Sequence, residues 1–173
     1  MTTFQQTYEI VTNSAVFKKF IKENPNAELV AGFFILDFLS NDNKDSIDYK
    51  LSEADSNKIY TFELDKNKEV VMKQDKLIET KIPNQPKLIQ IKSKVKIDLD
   101  EIKNMAEKKA DENNIGAKFH KIIAVLQNHE NQLIWNLTCM LDQLIILHML
   151  VNSDTGEIIK FERKNMMDFI RKR

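Results

Sequence analysis

The sequence predicts an α+β protein of two halves, each a helix packed on an antiparallel four-stranded sheet. Three observations predict it. Helical apolar spacing gives way to period-two alternation, the order of helix and then four strands occurs twice, and the halves superimpose at an offset of about 88 residues. Chain length agrees, since 173 residues bury roughly 70% of their unfolded surface on folding.

At the start, Phe4, Tyr8 and Val11 fall at helical spacing. Asn13 or Ser14 can cap a second helical stretch, which carries Val16, Phe17, Phe20 and Ile21 on one stripe. Asn24-Pro25-Asn26 ends it. Strands are then expected at Leu29–Phe38, Ser46–Ser52, Lys58–Leu64 and Glu69–Lys73. Residues 74–86, with Pro83 and Pro86, read as a connection. Lys87–Ile97 alternates strongly and is expected to be an edge strand, with Ile89, Ile91, Val95 and Ile97 on its inner face and three lysines outside.

The second half opens at Asp98, which with Glu101 forms a capping box ahead of the stripe Leu99, Ile102, Met105 and Ala106. Asn113, Asn114 and Gly116 stop that helix. Strands are expected at Lys118–Gln127, Gln132–Met140, Leu144–Asn152 and Glu157–Glu162, and a short helix closes the chain. The implied division is 1–82, a connecting segment 83–97, and 98–173.

Composition excludes several classes. Lys and Arg number 26 against 26 Asp and Glu, so there is no net field to attract phosphate backbones or anionic lipid. One cysteine rules out a disulfide scaffold. Leu133–Val151 is long enough for a membrane span, but Asn136, Asp142, Gln143 and His148 inside it are costly in hydrocarbon. MTTFQQTYEIV has no basic start or apolar run, so the expected location is cytoplasmic. Neither nucleic acid nor membrane is an expected partner.

WNLTCML at 135–141 and VNSDTGEIIKFE at 151–162 resemble a PepSY-type domain. ENPNAELVAGFFIL at 23–36 and FERKNMMDFI at 161–170 are similar to uncharacterised archaeal proteins with two PepSY-like halves. The resemblance implies a cystatin-like architecture, one helix wrapped by a curved sheet, and a binding or inhibitory module acting on peptidases or other partners.

Turn chemistry assigns the faces. A three-residue loop with Gly156 in the left-handed region would pair Ser153 with Glu157, Val151 with Ile159 and Met149 with Phe161. Asn67 can play the same role in the first half, pairing Leu64 with Lys68, Phe62 with Val70 and Tyr60 with Met72. The outward first-half set, Asp48, Lys50, Thr61, Glu63 and Lys73, suits water. The second-half set is Ile134, Met140, Ile146, His148, Leu150 and Ile158, a surface that needs a cover. The first half, the Lys87–Ile97 strand, a second copy in a homodimer, and another protein or apolar ligand are the candidates.

Reactive groups are sparse. Cys139 lies in an apolar strand and reads as an inert thiol. His148 is expected to point away from it, and His120 and His129 stand at no ligand spacing. Asp142, Asp154, Glu157 and Glu162 are explained by turns and solvent. The glycines, Gly32, Gly116 and Gly156, form no phosphate loop. Trp135 reads as a core anchor. No catalytic residue, cofactor or metal is expected. The function this indicates is a non-enzymatic protein-binding or regulatory module, with peptidase inhibition as one form. The alternative is a small-molecule-binding protein or enzyme using a pocket between helix and curved sheet.

Overall fold

The computed structural model describes residues 2–51, 58–76, 88–92 and 94–170. Two helices come first, α1 (Phe4–Asn13) and α2 (Ala15–Glu23), then β1 (Ala27–Asp37), β2 (Lys44–Leu51), β3 (Lys58–Leu64) and β4 (Val70–Lys76). After the connection come α3 (Leu99–Glu112), β5 (Phe119–His129), β6 (Gln132–Leu141), β7 (Ile145–Asn152), β8 (Ile158–Asn165) and the short α4 (Met166–Ile170).

The expected pair of four-stranded sheets does not form. All eight strands belong to one antiparallel sheet in the order β4-β3-β2-β1-β5-β6-β7-β8. The seam is the β1–β5 pair, in register from Ala31 opposite Gln127 to Asp37 opposite Lys121. Both strands are 11 residues long and apolar on both faces. Phe34, Leu36, Ile122, Ala124 and Leu126 are buried beneath the helices, while Phe33, Ile35, Ile123 and Val125 lie half-buried on the other face. Strands of that kind belong in the middle of a sheet.

One core runs under the seam. Phe17 and Phe20 of α2 pack with Tyr49 and Phe62, ring centroids 5.1–6.2 Å apart. Phe34 meets Trp135 edge to face across the seam at 5.9 Å. Trp135 is fully buried, and its Nε1–H donates to the Ile97 carbonyl at 2.8 Å. Gly32 is required by close approach, because a Cβ there would stand 2.9 Å from the Phe34 ring and 3.1 Å from the Phe4 ring.

Local chemistry sets the element ends. Ser14, not Asn13, caps α2 by accepting from the Phe17 amide at 3.1 Å. Asp98 caps α3 differently from a capping box. Its Oδ1 accepts from Leu99 N–H at 2.7 Å and Phe4 N–H at 2.8 Å, and its Oδ2 accepts from Gln5 N–H at 3.0 Å. One carboxylate thus ties the N-termini of α1 and α3 together. The Thr3 hydroxyl accepts from Gln6 N–H, completing the first turn of α1.

The expected edge strand at Lys87–Ile97 is corrected: residues 88–92 and 94–97 carry no strand, and Lys87 and Ser93 lie outside the described residues. The segment is tied down by scattered bonds. Ile91 N–H donates to the Leu29 carbonyl at 2.7 Å, Asn128 Nδ2 to the Gln90 carbonyl at 2.6 Å, and Ile97 N–H to the Ser153 carbonyl at 2.8 Å.

Both hairpin registers differ from expectation by local geometry. In the first half Lys68, not Asn67, takes positive φ, so Leu64 pairs with Val70 and Phe62 with Met72. In the second, Asn152 pairs with Glu157 through a 2.8 Å backbone bond and Gly156 has φ +75°. Met149 does face Phe161, but a bulge places Ile158 opposite Val151.

Candidate functional site

The face of the sheet away from the helices carries the candidate site, and strand register builds it in rows. Phe33, Val125, Asn136, Leu150 and Lys160 are successive cross-strand neighbours from β1 to β8. The next row is Ile35, Ile123, Thr138, His148 and Glu162, and the third is Asp37, Lys121, Met140, Ile146 and Lys164. Seven apolar side chains on four adjacent strands therefore form one surface. All remain partly exposed, Met140 at 37%.

The same face changes character beyond β1. There Asp48 accepts from the Thr61 hydroxyl at 2.6 Å and Lys73 pairs with Glu63 at 2.5 Å. On the other flank, Lys160 and Lys164 share Glu162 at 3.4 and 3.7 Å, and their proximity lowers its carboxyl pKa. At the third edge Lys121 pairs with Asp37 at 3.4 Å. Backbone amides of Ser40 and Leu39 hold Asp37 at about 2 despite burial. The apolar surface has a charged rim on three sides.

Two of the six expected residues are placed otherwise. Ile134 sits on the open side in the row of Ala31 and Gln127, yet it is only 2% exposed, so its side chain is already covered. Ile158 is turned by the bulge onto the helix-covered face, where it packs against the core. The exposed residue in its place is Ile159, at 47%. Met140, Ile146, His148 and Leu150 are together on the open face. Phe33, Ile35, Ile123 and Val125 complete it, and the unbroken apolar runs GFFIL and KIIAVL were the signal for them.

A polar pair lies inside this surface. Nε2–H of His148 donates to Asn136 Oδ1 at 2.8 Å, and its Nδ1 is 3.8 Å from Glu162. Burial lowers the His148 pKa, with Lys160 and Lys164 acting the same way and Glu162 opposing. That shift favours the neutral ring, which is joined to Asn136 by this one hydrogen bond.

Cys139 is fully buried on the helix-covered face, and burial pushes its thiol up to about 12. His148 stands on the opposite face, so the two never meet. His120 pairs instead with Asp142, and His129 lies 3.8 Å from Glu130. Among the described residues no three His, Cys, Asp or Glu side chains are grouped to hold a metal, and no described helix is long and apolar enough to cross a membrane.

Among the described residues, two of the concavities flank the fold. One, of about 180 Å³, lies between α3 and β8 against Met105, Lys109 and Ile158. The other, of about 680 Å³, is a polar groove between the β1–β2 and β3–β4 turns, bordered by Asp42, Asp45, Lys66 and Lys68. Asp45 Oδ1 is buried with no hydrogen-bond partner among the described residues, and burial raises that carboxyl pKa.

No family model matches this chain, and no curated protein matches it. Among solved structures it is similar to a protein described as a putative lipoprotein from Clostridium difficile 630. The TM-score is 0.51 at 16% identity, covering 86% of this chain and 90% of that one. At that identity the likeness concerns the fold.

Proposed function

We propose that this chain is a non-enzymatic protein-binding module whose contact surface is the open face around Phe33, Ile123, Ile146 and Leu150. The observation that carries it is the contrast along one face of one sheet: Asp48 bonded to Thr61 and Glu63 paired with Lys73 on β2–β4, and seven partly exposed apolar side chains on β1, β5, β6 and β7. Water on an open antiparallel sheet calls for polar residues, as the first half provides. Strands β2–β4 of the first half extend the sheet sideways, so these strands lie beside the apolar surface and not over it. The resemblance to PepSY-type proteins adds peptidases to the partners worth screening. The concavity between α3 and β8, about 180 Å³, is smaller than the roughly 300–1,000 Å³ of ligand pockets.

A photo-crosslinking residue placed at Leu150, with a control at Thr61, tests this in living cells. Discrete adducts from position 150 that Ile146→Asp abolishes are the expected result. Equal labelling from both positions, or none from 150, would reject the face as a contact surface.

A further inference from the structure

The last strand of the sheet lies beside a small trough under α3, and we propose that this edge takes up an extended acidic segment of another protein as an added strand. The segment would carry one apolar residue with carboxylates two and four residues away. This site is separate from the open face and goes beyond the binding reading above.

Strand β8 pairs only with β7 and ends the sheet order on its side. Among the described residues no backbone hydrogen bond joins Ile158–Asn165 to any other element, so its outward amides and carbonyls are available to a strand laid alongside. The trough lies on the helix side of that edge. Met105, Lys108, Lys109 and Glu112 recur at helical spacing on the flank of α3 that faces Ile158, around a space of about 180 Å³. That volume falls below the range of small-molecule pockets and suits a single apolar side chain. A strand added to β8 would turn every second side chain towards it. In strand addition the main chain supplies affinity and such a pocket supplies specificity.

Charge names the segment. Along the helix side of β8 stand Ile158, Phe161 and Arg163, opposite Val151, Met149 and Leu147. The nearby carboxylates are engaged, Glu112 by Lys109 at 3.6 Å and Glu162 by Lys160 and Lys164 at 3.4 and 3.7 Å. Lys108 and Arg163 are exposed and make no ion pair among the described residues. An apolar anchor seated over Ile158 lies beside Lys108. Its neighbours on the same side, two and four residues along, pass Phe161 and reach Arg163, where carboxylates meet opposite charge. A second copy would instead bring its own Lys160, Arg163 and Lys164 to this basic edge, which like-charge repulsion disfavours.

The intact chain can be tested with a fluorescent peptide, Glu-Thr-Glu-Thr-Leu-Thr-Glu-Thr-Glu, whose symmetric pattern fits either strand direction. Its anisotropy should saturate on titration with the protein. Amide exchange along Ile158–Asn165 should slow in the complex, while exchange along Val70–Lys76 at the opposite edge should not. Lys in place of Glu in the peptide, or Lys108→Glu combined with Arg163→Glu in the protein, should weaken binding about tenfold or more with an unchanged circular dichroism spectrum. Ile146→Asp, on the open face, should leave the affinity as it is. No saturation up to about 1 mM, saturation without slower exchange along β8, or equal binding by the charge-reversed chain would each overturn the proposal. Loss of binding in Ile146→Asp would move the peptide to the open face and overturn the edge site while leaving that face standing.

Discussion

Removing the Asp98 carboxylate should loosen both halves at once. Asp98→Ala deletes the α3 cap, at about 1 kcal/mol. It also deletes two charge-assisted bonds to the first amides of α1, Phe4 N–H at 2.8 Å and Gln5 N–H at 3.0 Å, each about 1.5 kcal/mol before discounting for the site's partial exposure. Thr3 continues to hold Gln6 N–H, so α1 frays without melting. The expected loss is roughly 2–4 kcal/mol, or roughly 5–15 °C in melting midpoint for a chain this size. Asp98→Asn should fall between, because an amide oxygen can still serve Leu99 and Phe4 while its NH2 faces the Gln5 N–H. Urea unfolding followed by circular dichroism, with amide exchange at Phe4 and Gln5, provides the readout. If Asp98→Ala costs under about 0.5 kcal/mol, within the range of ordinary surface substitutions, and leaves α1 amides protected, the carboxylate is not joining the two helices.

Gly156→Val forces a β-branched residue to φ +75° with its Cβ 3.1 Å from Ile97; a loss of about 1–3 kcal/mol is expected, and an unchanged midpoint would refute the turn geometry. Asp45 has a raised pKa, so its folded form binds a proton more tightly than its unfolded form. Stability associated with that proton is full below the ordinary carboxyl pKa and is lost as pH rises through the folded value. Asp45→Asn should therefore raise the melting midpoint at pH 7 and lose that advantage towards pH 4; a difference independent of pH would count against it. Cys139, with its thiol pushed up to about 12, should resist iodoacetamide at pH 8 in native buffer and react in urea. Native labelling at the rate of a free thiol would show that the strand opens.

Much of the element order was legible in the sequence because it depends on local chemistry. Ser14, Asn24-Pro25, Asp98 and Gly156 act within a few residues of where they stand, and period-two alternation marks β2, β3, β6 and β7 directly. The joining of the two halves was not, because strand pairing between β1 and β5 links residues some ninety positions apart and no turn fixes it. Its trace was the lack of a polar side on both strands, which reads as well for two buried strands as for two paired ones. Register was lost at single positions. Counting from Gly156 put Ile158 on the open face, and one bulged residue exchanged it for Ile159. The site was half legible for the same reason: Met140, Ile146, His148 and Leu150 follow from alternation within one hairpin, whereas Phe33, Ile35, Ile123 and Val125 join them only through the seam.

That seam governs how the molecule can be divided. A gene cut between residues 97 and 98 would yield two fragments, each left with a bare border of seven formerly paired residues, with unsatisfied amides and grease above and below. Such a border recruits any extended peptide nearby, its own duplicates first. Fragments made separately should clump, and fragments made together should find each other, so inheritance of this fold by shuffling one half alone is a poor evolutionary route.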